Sequence, residues 1–129
     1  MIHGIGMDVC PARRWQRMID RFGAEKCCRR ILAPEEALYL LQSHPDRLAE
    51  RLAGRWALRE AFGKSLGVGM DGWHWKELRY INGRLWSEGT LKDQLASRKI
   101  THLHASVTHD DHIAYAFVVL EGRHVDKSV

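Results

Sequence analysis

Two acidic and two basic residues form the group of side chains best suited to chemistry. Glu60 and Lys64 lie one helical turn apart in the segment Trp56–Gly67, whose apolar spacing and closing glycine are typical of the end of a helix. Asp8 and Arg14 lie near the start of the chain. Two carboxylates with two cations are the groups needed to hold a divalent metal ion and a phosphorylated ligand.

The number of acids favours magnesium over calcium. Calcium needs a cage of many oxygen ligands, whereas magnesium keeps several waters and binds one or two acids together with substrate phosphates. We therefore expect Asp8 and Glu60 to hold Mg²⁺ with a diphosphate, and Lys64 to place a point charge on the same phosphates. Two plainer interpretations stay open. Asp8 also suits a turn or the cap of a helix beginning near Pro11, and Glu60–Lys64 also suits a helical ion pair worth about 0.2–0.5 kcal/mol.

The glycines before Asp8 allow two interpretations. Glycine lets the backbone approach a ligand closely, which suits a binding role for Asp8. Gly4-x-Gly6 also begins a dinucleotide-binding pattern, but Val9 occupies the position of the third glycine, so that pattern is incomplete.

Other reactive side chains give weaker patterns. His102, His104 and His112 suggest zinc, but neither a nearby cysteine nor a recognised ligand spacing accompanies them. Ser65 and Ser106 lack the Gly-x-Ser-x-Gly context of a hydrolase nucleophile. These residues alone therefore define neither a zinc site nor a serine hydrolase.

Three motifs in a fixed order resemble those of one enzyme family. Gly-x-Asp-x5-Arg spans residues 6–14, Trp-Ala-x-Arg-Glu-Ala-Phe-x-Lys-x-x-Gly spans 56–67, and His-Ala-Ser-Val-Thr-His-Asp spans 104–110. Over residues 1 to 120 the chain is similar to the holo-acyl-carrier-protein synthases, the short single-repeat members of the 4′-phosphopantetheinyl transferase superfamily. The resemblance implies an α+β fold, with an antiparallel sheet packed on a long helix, and a homotrimer whose sites lie between subunits.

The resemblance also implies a reaction and three sets of residues. The reaction is the magnesium-dependent transfer of 4′-phosphopantetheine from coenzyme A to a serine of an apo-acyl-carrier protein. The implied catalytic residues are Asp8, Glu60 and Lys64, of which Asp8 and Glu60 hold the metal. The coenzyme A set is Arg55, Lys64, Gly67, His104 and Ser106, and the carrier-protein set is Arg14, Arg17 and Arg21. His109 is either a phosphate contact or a turn residue, and the base that takes the serine proton stays open among Asp8, Glu60 and a water on the metal.

Three positions depart from the family pattern. Arg59 replaces a common Lys, Gly63 a frequent Ser, and Leu85 the usual Pro after the hairpin. Substrate preference is therefore open. A paralogue serving a polyketide, peptide or unusual lipid pathway is one alternative, and a coenzyme-A-binding relative without turnover is another.

The basic residues predict an anionic partner. The chain has a net charge of +4, and residues 13–30 contain seven Lys and Arg side chains against Asp20 and Glu25. Nucleic acid, an acidic protein or a phosphate-rich ligand would suit such a patch. A nucleic-acid-binding motif is not recognisable, so we expect an acidic carrier protein and no nucleic-acid partner.

The length of 129 residues predicts one domain, over residues 1–120, with a frayed tail at 121–129. We expect no membrane span, no signal peptide and a cytoplasmic location with reduced thiols.

Apolar periodicity predicts strands at 2–9, 75–81, 85–86, 101–108 and 113–120. It predicts helices from Pro11, at 26–32, from Pro34, from an N-cap at Asp46, and at 89–97. Turn residues predict a loop at 67–72 and turns at Asn82-Gly83 and 109–112.

Overall fold

The fold is α+β, as the sequence predicts, in a computed structural model that describes residues 1–125. Its helices are α1 Ala12–Phe22, α2 Ala24–Ile31, α3 Pro34–Leu41, α4 Pro45–Leu66 and α5 Gly89–Ser97. Its strands are β1 Ile2–Pro11, β2 Leu78–Ile81, β3 Arg84–Ser87, β4 Ile100–Asp110 and β5 Ile113–Gly122. A short 3₁₀ helix, Trp75–Glu77, precedes β2.

An antiparallel sheet with the strand order β1-β5-β4 packs one face against α4, while β2 and β3 form a separate hairpin. Asp8 of β1 pairs with Ala116 of β5, which in turn pairs with Val107 of β4. Ala116 is buried and Val107 packs against the core, so these residues belong to the inner face, toward α4. The long helix is therefore the support on which the sheet residues are positioned.

Two glycines bring β1 very close to α4. A Cβ at Gly4 would overlap the carbonyl oxygen of Ser65, and one at Gly6 that of Ala61, each closer than the 3.0 Å that real Cβ contacts keep. The glycines before Asp8 thus allow strand and helix to pack closely. This packing holds Asp8 beside the last turns of α4.

Two predicted details of the helices and strands are wrong. Asp46 is not the N-cap of α4: His44 is, and its Nδ1 accepts a hydrogen bond from the Asp46 N–H at 3.2 Å. The strand predicted over 75–81 begins only at Leu78, because the preceding three residues form the 3₁₀ helix. The Asn82-Gly83 turn is found as predicted, with φ values of 53° and 75°.

The end of the chain also departs from the expected boundaries. The turn between β4 and β5 is Asp111-His112, with φ values of 50° and 60°, so His109 lies inside β4 rather than in a turn. His109 Nε2 is hydrogen bonded to the backbone oxygen of Glu50 at 2.9 Å. The last strand continues to Gly122, so the predicted tail begins too early. Residues 126–129 of that tail lie outside the described residues.

Within residues 1–125, none of the helices is both long enough and apolar enough to cross a bilayer.

Candidate active site

Asp8 and Lys64 form an ion pair between β1 and α4. Lys64 Nζ donates hydrogen bonds to Asp8 Oδ1 and to the backbone oxygen of Met7, both at 3.1 Å. The Asp8 side chain is 15% exposed and that of Lys64 is 56% exposed, so Asp8 is mostly shielded from solvent and Lys64 is mostly accessible to it. Lys64 therefore contacts the strand while most of its charge stays accessible to a ligand.

Glu60 completes a cluster with these two residues. It lies one turn before Lys64 on α4, with its carboxyl group beside that of Asp8. Burial raises the pKa of Glu60, as do a hydrogen bond to Asp8 and the Asp8 charge; Arg14 and Lys64 oppose the rise, and the resulting pKa is about 7. Burial is the main cause of this shift, and the neighbouring Asp8 carboxylate adds to it. Two neighbouring carboxylates attract a cation.

The donors of this cluster fit a hard metal ion. Carboxylate oxygens are the protein ligands that Mg²⁺ prefers, and it needs only one or two of them. In the described part of the chain, no three His, Cys, Asp or Glu side chains are grouped so that they could hold a metal. Asp8 and Glu60 would thus share an ion with water and with oxygens of a bound ligand.

The loop after α4 begins next to the cluster. Gly67 adopts a left-handed conformation, with φ of 80°, and its N–H donates to the Lys64 carbonyl oxygen at 3.0 Å. Gly67 and Val68 are both exposed. The predicted coenzyme A residues Lys64 and Gly67 therefore lie together at one end of the helix.

Arg55 lies on a different face of the same helix. Five helical positions separate it from Glu60, a rotation of about 140°. Its Nε donates to Glu36 Oε2 at 2.9 Å, and its guanidinium lies 4.9 Å from the centre of the Tyr80 ring. The structure thus places Arg55 in a contact with α3 and the hairpin, apart from the Asp8–Glu60–Lys64 cluster.

Arg59 and Glu36 form a buried ion pair that the sequence does not reveal. Both side chains are fully buried, and Arg59 Nη2 lies 3.0 Å from Glu36 Oε1. Arg59 also donates to the carbonyl oxygens of Trp75 at 3.1 Å, Arg55 at 3.1 Å and Leu78 at 2.7 Å. Burial lowers the pKa of Arg59, while Glu36 opposes that shift. These bonds fix the residue before Glu60 to α3 and to the start of β2.

His104 and Ser106 lie on the outer face of the sheet, away from α4. Leu103, Ala105 and Val107 pack against the core, so the alternating residues of β4 point outward. His104 Nε2 is hydrogen bonded to Glu121 Oε1 at 2.9 Å, and this bond lowers the pKa of Glu121. Within one chain, these two predicted coenzyme A residues do not converge with Asp8.

The same outer face is apolar along β1 and β5. Its exposed side chains include Ile5 at 62%, Met7 at 58%, Val9 at 51% and Phe117 at 39%. Several large apolar side chains on adjoining strands are typical of a surface that binds another protein chain.

The predicted carrier-protein residues Arg14, Arg17 and Arg21 are all exposed on α1. The charge of Arg14 acts on the pKa of Glu60, so this end of α1 borders the acid pair.

Between α1 and α2 lies a groove of about 400 Å³, lined by Met18, Phe22, Lys26, Cys27, Arg29 and Arg30. The Arg21 guanidinium lies 5.1 Å from the centre of the Phe22 ring. The surface formed by α1 and α2 is thus basic and contains a groove between the two helices.

Comparisons with known proteins show the family of the chain. The sequence profile of the 4′-phosphopantetheinyl transferase superfamily matches residues 4–118. The holo-acyl-carrier-protein synthase of Treponema denticola is 35% identical over 127 residues, which cover 95% of this chain and all of that protein. The crystal structure of the Neisseria meningitidis synthase is similar with a TM-score of 0.82 and 30% identity, over 94% of this chain and 99% of that one. A Bacillus anthracis synthase, solved in complex with coenzyme A (3′,5′-ADP), has a TM-score of 0.73 and 29% identity over 95% and 99% of the two chains.

The chain therefore belongs to the 4′-phosphopantetheinyl transferase superfamily. Within that superfamily its similarity is to the holo-acyl-carrier-protein synthases, and it is an enzyme of the phosphopantetheinyl transferase class.

Proposed function

We propose that the chain transfers 4′-phosphopantetheine from coenzyme A to a serine of an apo-acyl-carrier protein. The observation that carries this proposal is the cluster of Asp8, Glu60 and Lys64 at the border of the basic helix α1. The serine hydroxyl attacks the phosphorus that bears pantetheine, a new P–O bond forms, and the diphosphate bond breaks. Adenosine 3′,5′-bisphosphate leaves with the electron pair, and the serine proton passes to a base.

Each member of the cluster has a role in this reaction. Lys64 binds diphosphate oxygens with its exposed ammonium group. Asp8 and Glu60 would hold Mg²⁺, which would neutralise negative charge on the phosphates. Asp8, Glu60 and a water on the metal are the candidates to receive the serine proton.

The test uses the mass of the carrier protein. Mixing the purified chain with an apo-acyl-carrier protein, coenzyme A and magnesium is expected to add one phosphopantetheine group to the carrier. The gain is expected to disappear when a chelator removes the metal or when the acceptor serine is replaced by Ala. An unchanged carrier mass in the complete mixture would refute the transferase proposal.

The basic surface supports an acidic carrier protein as the acceptor. Arg14→Glu is expected to raise the KM for the carrier protein at least about tenfold and to leave the affinity for coenzyme A nearly unchanged, because it reverses one charge at the docking surface. The carrier KM is also expected to rise with ionic strength, since exposed charges are screened beyond about 8–10 Å at physiological salt. Steady-state kinetics at two salt concentrations measure both effects.

The matched control is Lys92→Glu on α5, which makes the same charge change on an exposed residue outside the basic surface. Duplex DNA, added as a competitor, is expected to inhibit poorly. Strong inhibition by sub-micromolar DNA, together with a normal carrier KM for Arg14→Glu, would assign the basic helix to nucleic acid instead.

The outer sheet face supports a homo-oligomer, which we propose is the trimer implied by the family. His104 and Ser106 share this face with the exposed apolar residues, so a second copy packed there would meet them. Coenzyme A residues from two chains would then meet at one site, which a single chain does not achieve.

Val9→Lys is expected to reduce the assembled mass in sedimentation equilibrium and to lower turnover with it, because it places a charge in the apolar interface. Leu38→Lys is the control, since Leu38 is 54% exposed on α3 and Val9 is 51% exposed on β1. If Val9→Lys kept the mass of the parent protein, the interface would lie elsewhere.

The proposed carrier protein is acidic and presents a serine. The sequence leaves open whether the chain serves a specialised pathway or modifies carrier proteins generally. These two alternatives differ in which carrier protein has the lowest KM. Cys10, Cys27 and Cys28 are free thiols, which supports a reducing, cytoplasmic location.

A further inference from the structure

We infer that Gly63 is a positioning residue that sets how closely the loop Gly67–Trp73 lies against α4, and thereby sets the affinity for coenzyme A. The inference rests on the proposed function. It concerns one of the three positions at which the chain departs from its family, where Ser is frequent and this chain has Gly.

Gly63 is buried and in direct contact with the loop. A Cβ at this position would overlap the carbonyl carbon and oxygen of Gly69, closer than 3.0 Å. The obstacle is backbone, which cannot rotate away as the end of a side chain can. Any residue other than glycine at position 63 therefore requires the loop to move.

Hydrogen bonds hold the loop in this close position. The Gly63 carbonyl oxygen accepts from the N–H groups of Val68 at 3.2 Å and Gly69 at 3.1 Å. Trp73 Nε1 donates to the Gly69 carbonyl oxygen at 2.8 Å, and its ring packs edge-on against Phe62 at 4.9 Å. The position of the loop is thus specified from both of its ends.

The loop shares the last turn of α4 with the candidate active site. Gly67 donates to the carbonyl oxygen of Lys64, whose ammonium group contacts Asp8. A loop pushed away from the helix at Gly69 would move Gly67 and Val68 relative to Lys64. Gly67 and Val68 are exposed and directly follow the helical turn that carries Lys64. The displacement would therefore alter the surface next to the residue that we propose binds diphosphate, while the Asp8–Lys64 pair stays in place.

The experiment compares Gly63→Ala and Gly63→Ser with the parent protein. Calorimetry with coenzyme A is expected to show at least about tenfold weaker binding, with the carrier KM unchanged. Hydrogen exchange is expected to show faster exchange of the Val68 and Gly69 amides, because the loop moves them away from the Gly63 carbonyl oxygen that accepts their hydrogen bonds. Gly54→Ala is the matched control: it makes the same change in the same helix, but its Cβ would meet only side chains, Val107 Cγ1 at 3.0 Å and His109 Nε2 at 3.2 Å.

A second variant keeps the inference testable if Gly63→Ala does not fold. Trp73→Phe removes the hydrogen bond to Gly69 and retains an aromatic ring on Phe62, and it is expected to weaken coenzyme A binding in the same direction. Parent-like coenzyme A affinity in a folded Gly63→Ala, or an equal loss in Gly54→Ala, would overturn the inference. That result differs from failure of the proposed function, in which the parent protein itself transfers nothing.

Discussion

Glu60→Gln is expected to lower the rate of phosphopantetheine transfer by on the order of 10³-fold or more while the protein stays folded. The amide keeps the size of the side chain but removes the negative charge and the proton-accepting carboxylate. Asp8→Asn is expected to have an effect of similar size, because the two carboxyl groups act on the same metal and phosphates. Initial rates at saturating coenzyme A and carrier protein, followed by mass spectrometry, measure the loss.

The stability of Glu60→Gln is expected to change in the opposite direction. The pKa of Glu60 is about 7 in the folded protein, against an ordinary value of 4.5. An acid whose pKa is raised by folding favours the folded state while it is protonated, and that contribution is lost as the pH rises through the folded pKa. At pH 8 the ionised carboxylate therefore opposes folding beside Asp8, and a neutral amide removes this cost.

Thermal unfolding at pH 8 is expected to give Glu60→Gln a Tm equal to or above that of the parent protein, and the difference is expected to shrink as the pH falls below 7. Asp93→Asn, which neutralises an exposed acid on α5, is the control and is expected to keep the parent rate. Near-parental transfer by Glu60→Gln would contradict the catalytic role. A rate loss that merely follows a loss of fold would contradict it as well.

The local part of this site could be predicted from the sequence. Glu60 and Lys64 are placed on one face of α4 by helical spacing alone, and the apolar positions before them indicate which helix it is. The partner strand is less evident, since spacing cannot show that Gly4 and Gly6 pack on the helix. The family resemblance supplied the link between Asp8 and Glu60 that the residue pattern left open.

The role of Arg59 could not be predicted, because its partners are distant in the sequence. The motif indicates only that Arg59 keeps the charge of the family's common Lys, whereas the structure shows its guanidinium bonded to the carbonyl oxygens of Trp75 and Leu78. Main-chain acceptors carry no signature in the sequence. Only the fold brings them to α4.

The positions of His104 and Ser106 show a different limit. Alternation along β4 correctly predicts that they share a face of the strand. It cannot show whether α4 covers that face, and the structure places the helix on the other one. Residues predicted for one ligand therefore lie on opposite sides of the sheet within one chain.

The second large effect is expected for the buried ion pair. Glu36→Gln is expected to lower the free energy of unfolding by about 3–5 kcal/mol, because it leaves the Arg59 guanidinium in the interior without its counter-charge. Arg59 and Glu36 are both 0% exposed, and Glu36 also accepts hydrogen bonds from Arg55 Nε and from the Tyr80 N–H. Urea unfolding measures the change, and the corresponding fall in Tm is roughly 10–15 °C.

Glu35, the residue before Glu36, provides a control that distinguishes the loss of an ion pair from the burial of the charge left behind. Glu35 is 51% exposed and lies 2.6 Å from Arg79, so Glu35→Gln removes an ion pair at the surface by the same chemical change. Its expected cost is below about 1 kcal/mol, because the half-exposed Glu35 carboxylate lets water screen the pair, although Arg79 is itself 16% exposed. Equal losses for the two variants would mean that burial of Arg59 adds nothing to the dependence on Glu36. A much larger loss for Glu36→Gln would show that this carboxylate joins α3, α4 and the β2–β3 hairpin, and so supports the helix that carries Glu60 and Lys64.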